Sequence, residues 1–419
     1  MPTTTAPGIT TGPNALVTLA SEFFEHDYVN VYAFGNGVLD SNNPIVTSTG
    51  QVRNTLGTGF AVGGGVSLSH GFSDAQLNLS YQGSYQDYQS GYFTSGSTQY
   101  LALNYAKRLS RHLSMNVSVG AGNFLYGGTF YSSEPAGAVS PVITNPLSPQ
   151  TRYLNAGVSL TYRQTRRLSY SVFGNFFLDR YNYAGAIGTT GASGGGSVNY
   201  QWDPRTSFSL SYIHSYFDYQ RGAGNGFTDQ IGLGGTHVFR NHWSASGYIG
   251  GARTDASGVI AVPVTLLVGN EAVGGYVLGA YKQVAFVPSF SGSVSHSLRR
   301  RSVFSVGAGE GIAGSGNGYF LASRNIYVNG VFSYSWQGQN ISLGGGAYKL
   351  SSIANSVSSS YSSASFSASY GRGLIRHVGM FLRYDYIFYG SLAPYNGNSD
   401  NRLSFGFNFS SRSVPMTLF

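Results

Sequence analysis

The sequence predicts an all-β protein, a transmembrane antiparallel up-and-down β-barrel of about eighteen strands, with about sixteen as the nearest alternative. Three observations carry this reading: a charge-poor, aromatic-rich composition, a period-two alternation along most of the chain, and a regular exchange of short turns with long loops. Only 10% of the 419 residues are charged, against about 25% in a typical soluble domain, too few to keep a soluble surface of this size free of apolar patches. The 32 Tyr and 27 Phe argue against disorder, which goes with few aromatics. Gly or Ser interrupts every apolar run well before the roughly 18 residues that a membrane-spanning helix needs. A closed barrel accommodates both facts, because its backbone groups pair between strands and only alternate residues must be apolar. The absence of Cys removes disulfides and thiolate metal sites.

The repeating unit is clearest in Tyr100–Tyr126. Leu101, Leu103 and Tyr105 alternate with Tyr100, Ala102 and Asn104; after the basic turn at Lys107–His112, Leu113, Met115, Val117 and Val119 alternate with Ser114, Asn116, Ser118 and Gly120. Successive side chains of a strand point to opposite faces, so this is a hairpin with one apolar and one polar face. The same pattern sets Leu77, Leu79 and Tyr81 against Asn78, Ser80 and Gln82, and Val378, Met380, Leu382 and Tyr384 against Gly379, Phe381, Arg383 and Asp385.

Short connections recur at His70–Asp74, Lys107–His112, Gln164–Arg167, Asp203–Arg205, Arg240–His242, Leu298–Arg301, Gln337–Asn340 and Gly371–His377. Between them fall Gly/Ser/Asn/Pro-rich stretches expected as loops: Ser41–Leu56, Tyr88–Ser97, Gly127–Gln150, Tyr183–Gly191, Arg221–Gly226, Ala256–Asn270, Gly309–Gly318, Ser351–Ser360 and Ser391–Asp400. These seventeen connections give eighteen strands, and the even number places both termini on the short-turn side, the periplasm in bacterial barrels. Glu271–Leu298 is long enough for one strand that projects well beyond the membrane. The domain expectation is a periplasmic arm over residues 1–26, with one short helix from Asn14 to His26, followed by a barrel over 27–419. Met1 leads into polar residues with no basic and apolar leader, so an exported chain of this kind is expected to be a mature form.

Aromatic residues at the loop-side strand ends (Tyr85, Tyr88, Tyr92, Phe93, Tyr126, Tyr181, Tyr183, Tyr216, Tyr219, Tyr386, Phe388, Tyr389) suggest an interfacial girdle. Basic residues gather at the short turns: Arg108, Arg111, Arg166, Arg167, Arg240, Arg299, Arg300, Arg301 and Arg376 form an expected periplasmic rim. The net charge of +8 is thereby spread over many turns, unlike a nucleic-acid patch, in which basic and aromatic residues share one face.

Near the C-terminus, Asn401–Ser410 alternates Leu403, Phe405, Phe407 and Phe409, and the chain ends in Phe419. This stretch resembles the aromatic-rich last strand of bacterial outer-membrane proteins, although Ser411–Phe419 trails past it. The resemblance implies that Phe405, Phe407, Phe409 or Phe419 serves as an insertion signal read by the barrel-assembly machinery. It also implies residence in the bacterial outer membrane among its lipid and lipopolysaccharide.

Little in the sequence suggests catalysis. Of the eight His, His70, His112, His242 and His377 lie at short turns, none forms an HExxH pair, and no Gly-x-Ser-x-Gly elbow is expected. The Gly63–Gly65, Gly194–Gly196 and Gly344–Gly346 tracts lack the Gly-Lys-Ser/Thr ending of a phosphate loop and lie within strands, where they permit bending or close approach. The polar parity instead offers lumen-lining candidates: Asn78, Gln82, Asn104, Asn116, Asn155, Asn175, Asp179, Arg383 and Asp385. Amides and hydroxyls outnumber charges there, as expected of a porin-like passive channel for small, neutral, hydrophilic solutes. The alternatives are the barrel of an export system, for example for exopolysaccharide, with residues 1–26 meeting a periplasmic partner, and a rim-sited hydrolase. No cofactor, metal or nucleic acid is expected.

Overall fold

The computed structural model describes residues 28–46, 52–88, 95–125, 150–182, 188–239, 242–268, 271–298, 302–313, 323–353, 360–390, 398–411 and 414–415. Eighteen antiparallel strands follow one another in chain order, from β1 (Tyr28–Val46), β2 (Val52–Gly71) and β3 (Ala75–Tyr88) to β16 (Ser360–Ile375), β17 (Val378–Tyr389) and β18 (Asn398–Ser410). The sheet closes because β1 pairs with β18 as well as with β2, in a continuous register from Tyr32–Ser410 to Asp40–Arg402. A two-residue strand, β19 (Val414–Pro415), continues this seam onto Tyr28 and Val29. Between the two, Ser411 donates its N–H to Val31 O at 2.7 Å, and its Oγ accepts from Val31 N at 2.8 Å. The predicted barrel and its strand number therefore hold. The expected N-terminal arm and Phe419 lie outside the described residues.

The register assigns each side chain to a face. β4 (Gly96–Arg108), β5 (Leu113–Leu125), β6 (Gln150–Arg163) and β7 (Leu168–Tyr181) form two adjoining hairpins. Across β6 and β7 the outward partners are Leu154–Leu178, Ala156–Phe176, Val158–Gly174, Leu160–Val172 and, nearest the short turn, Tyr162–Tyr170. Phe405, Phe407 and Phe409 are likewise outward and exposed. The exterior is thus a band of exposed apolar side chains with Tyr and Trp at its turn-side edge, among them Tyr162, Tyr170, Tyr200, Trp202 and Trp243.

Two expected loops are not loops. β9 (Thr206–Tyr219) passes to β10 (Gly224–Val238) through one 3-10 turn, Gln220–Gly222, because Gly222 at φ +68° reverses the chain within a few residues. Ala256–Asn270, one of the stretches expected as loops, is mostly strand: β11 (Trp243–Val268) runs straight through it and pairs with β12 (Glu271–Leu298) to the last residue. The run Val259-Ile260-Ala261-Val262 is β-branched enough to extend a ladder, and two strands that prolong each other satisfy their own backbone groups beyond the membrane. Ser41–Leu56 is shorter than expected for the same reason, since β1 and β2 pair out to Val46–Val52 past an irregularity between Asp40 and Asn43. Of the expected loop-side girdle, Tyr216 and Tyr85 face outward, whereas Tyr219 is buried on the inner face beside Phe217.

The glycine tracts serve close approach. Tyr32 and Phe34 of β1 point inward directly opposite Gly65 and Gly63 of β2. A Cβ on Gly63 would stand 2.6 Å from Phe34 Cζ, and one on Gly65 would stand 2.6 Å from Tyr32 Cζ, so both rings lie flat across the neighbouring strand. The same arrangement puts Tyr153 over Gly122, Phe173 over Gly195, Phe177 over Gly191 and Tyr327 over Gly309. Aromatic rings covering strand glycines recover the burial that a missing side chain forfeits. Gly63→Ala should therefore displace the Phe34 ring and destabilise the barrel by about 1–3 kcal/mol in urea titrations of refolding into vesicles. Gly37→Ala, whose Cβ would meet nothing within 4 Å, should leave the midpoint unchanged.

Candidate functional site: the barrel interior

Three kinds of group make up the inner wall. Hydroxyl ladders come first: Ser244 and Ser295 approach to 2.6 Å, Ser246 and Ser293 to 2.7 Å, and Thr228 and Thr254 to 3.0 Å, each pair on facing inward positions. Gln230 Nε2 donates to Tyr248 OH at 3.0 Å and to Ser289 Oγ at 3.1 Å, carrying one such ladder across three strands. The flat rings are the second kind. Because each lies on a glycine, it adds π surface to the wall while taking little of the bore. Tyr100 and Tyr153 stack with centroids 6.4 Å apart and planes 27° from parallel, next to Gly122.

Charged groups are the third, and most of them pair with one another. At the loop-side end of the seam, the buried Asp40, Asp400 and Arg402 come together: Arg402 Nη2 lies 3.2 Å from Asp40 Oδ2 and 3.7 Å from Asp400 Oδ2. One strand away, Arg383 Nε donates to both oxygens of Asp385 at 2.9 and 2.8 Å. Alternation places Asp40 on β1 and Arg402 on β18, and only closure of the barrel makes them neighbours. Asp179, opposite Thr189 across the ladder between β7 and β8 (Thr189–Asp203), is buried, with an Oδ1 that has no hydrogen-bond partner among the described residues.

Asn78, Gln82, Asn104, Asn116, Asn155, Asn175, Asp179, Arg383 and Asp385 all occupy inward positions. They do not form one constellation. Asn78 and Asn104 face each other, as do Arg383 and Ser404, while Asp385 stands opposite Arg402. Sequence reasoning missed Asp40 and Asp400, which border or end expected loops, and Arg402, which lies on the polar parity of Asn401–Ser410, because their partners sit on strands at opposite ends of the chain or across a turn. Of the basic rim, Arg108, Arg111, Arg166, Arg167 and Arg376 lie in or beside short turns, and Arg240, Arg299, Arg300 and Arg301 lie outside the described residues.

Two features bear on catalysis. His214 Nδ1 lies 2.8 Å from Asp229 Oδ1, which also accepts a 2.6 Å bond from Tyr212 OH, but this His–Asp pair is on the outer face, and no hydroxyl approaches the other ring nitrogen among the described residues. Gly191-Ala192-Ser193-Gly194-Gly195 spells Gly-x-Ser-x-Gly, yet it runs along β8 (Thr189–Asp203) with Ser193 opposite Ser215, where no helix follows. No group of three or more His, Asp or Glu suited to a metal is found among the described residues.

No protein-family model matches the chain, and no curated protein does. Among solved structures it is similar to the Pseudomonas aeruginosa protein OccK5 (OpdH), at 11% identity over 93% of this chain and 100% of that one, with a TM-score of 0.43. It is also similar to OpdQ of the same organism, at 11% identity over 94% of this chain and 100% of that one, with a TM-score of 0.44. A third, the P. aeruginosa outer membrane protein OpdK, is 12% identical over 91% of this chain and 99% of that one, with a TM-score of 0.42. At this identity no residue of the interior has a counterpart assigned by the likeness.

Removal of the Arg402 side chain leaves Asp40 and Asp400 buried without their cation, so Arg402→Ala should cost about 3–5 kcal/mol in the same urea titration. Asp385→Asn, which leaves the partly exposed Arg383 charged, should cost much less.

Proposed function

We propose that this barrel is a passive, porin-like channel of the bacterial outer membrane for small hydrophilic solutes, chiefly neutral ones. The observation that carries the reading is the inner wall itself: hydroxyls, amides and flat rings around a wide barrel, with its arginines engaged by neighbouring carboxylates. Barrels of roughly 16–18 strands enclose an aqueous channel, since diameter grows with strand number. A solute entering such a bore exchanges water hydrogen bonds for those of Ser, Thr, Asn and Gln, and the rings offer apolar faces to its C–H groups. Charge rings would be needed for strong ion selection, and here Arg402 and Arg383 are largely neutralised by Asp40, Asp400 and Asp385. An outer-membrane setting is supported by the exposed apolar band, its turn-side aromatic edge and the outward Phe405, Phe407 and Phe409 of the last strand.

Single-channel recording in planar bilayers tests this directly. The expected result is an open channel with potassium and chloride permeabilities of the same order, together with swelling of proteoliposomes in neutral sugars. Folded protein that passes no current would overturn the reading. Asp385→Asn should shift the reversal potential toward anion permeation by freeing the Arg383 charge.

A further inference from the structure

On the outer wall, Arg152 of β6 and Arg180 of β7 stand directly opposite each other in the ladder. Both are exposed, and neither has an ion pair or hydrogen bond among the described residues. Like charges directly across a strand pair are destabilising, so this arrangement breaks a local rule without compensation among the described residues. The register fixes their depth. From Arg152 to Tyr162 the strand advances ten residues, which at about 3.3 Å per residue and a tilt of about 40° is a rise of roughly 25 Å. Between the Arg pair and the Tyr162–Tyr170 pair every outward position on these two strands is Leu, Ala, Val, Phe or Gly. The two guanidinium groups therefore stand one full apolar band above the turn-side tyrosines, at the level of the outer-leaflet headgroups.

Below them the wall is indented. A groove of about 360 Å³ runs over Val117, Val119, Ala156, Val158, Gly174 and Phe176, beginning past the Leu154–Leu178 pair on the turn side of the arginines. Gly174 forms part of its floor; a Cβ there would meet only Ser193 O, at 4.0 Å, so the space above it is open.

From this juxtaposition the geometry points to a binding site for one phosphate-bearing lipid of the outer leaflet, with its phosphate held between Arg152 and Arg180 and an acyl chain lying in the Gly174 groove. Two guanidiniums present a fork of donors that matches phosphate oxygens, and these charge-assisted bonds gain strength at the edge of the hydrocarbon. The phosphate also removes the repulsion between the two cations. A larger groove of about 500 Å³ on β9 to β12, lined by Tyr212, Ile231, Gly251 and Phe286, lacks this logic, because its Arg253 faces Asp229 across the ladder. The inference rests on the barrel lying in a membrane with its loop side in the outer leaflet, and not on the lumen conducting.

Native mass spectrometry of the full chain in detergent, titrated with lipid A and with its dephosphorylated analogue, tests the site. The wild type should retain lipid A at least about tenfold better than the analogue, as expected if charged hydrogen bonds supply about 1.5 kcal/mol or more. Arg152→Gln/Arg180→Gln should abolish that preference, while Arg152→Lys/Arg180→Lys should keep part of it. Gly174→Leu, which fills the groove and leaves both arginines, should weaken lipid A retention about as much. Folding of each variant is checked by its heat-dependent mobility on SDS gels, and single-channel current, expected to be unchanged, separates this site from the lumen. Equal retention by the wild type and the folded Gln and Leu variants overturns the proposal. Displacement of lipid A by millimolar inorganic phosphate, with no effect of Gly174→Leu, also overturns it in favour of a simple anion site.

Discussion

Backbone hydrogen bonding at the seam is the constraint on which the rest of this structure depends. In hydrocarbon an unpaired amide or carbonyl costs several kcal/mol, so a sheet of eighteen strands is tolerable there only if its first and last strands find each other. β1 and β18 do so over nine paired positions, and β19 and Ser411 prolong the join past the end of β18. The most deeply buried ion cluster of the interior, Asp40 with Asp400 and Arg402, lies on this join. A charged cluster is a poor source of net stability, since desolvation opposes the Coulomb gain, but it is strict about partner geometry. A slip of one residue would turn Arg402 to the lipid, so the cluster acts against wrong registers of closure.

The inner wall pairs large with absent side chains. Strands that carried aromatic rings on the inner face opposite ordinary residues would push those rings toward the axis. Glycine opposite Tyr32, Phe34, Tyr153, Phe173, Phe177 and Tyr327 lets each ring lie along the wall instead. The contact that stabilises adjacent strands thus also keeps each ring against the wall, beside the hydroxyls and amides of the inner face.

Much of this was legible in period two alone. The alternation in Tyr100–Tyr105 and Leu113–Gly120 matches the faces these residues take in the ladder, and Phe405, Phe407 and Phe409 are as outward as their spacing implies. The misreadings share one cause. Arg221–Gly226 and Ala256–Asn270 have a loop-like composition, which marks a turn and a long loop in the same way, whereas the actual length of each connection is set by how far the flanking strands continue to pair. Tyr219 likewise looked like a girdle residue by its place at a strand end, but its parity puts it inside with Phe217.

The sequence by itself determined the architecture, the facing of the side chains and the strand number, because a two-residue repeat in a membrane has one stable solution and each strand declares its own lipid face. Only the tertiary structure decided which residues meet across strands. Asp40 and Arg402 are separated by almost the whole chain, the glycines under the aromatic rings lie on neighbouring strands, and Arg152 and Arg180 belong to opposite arms of one hairpin. Such meetings depend on register, which is fixed by the lengths of turns and by closure together, and no single strand contains that information.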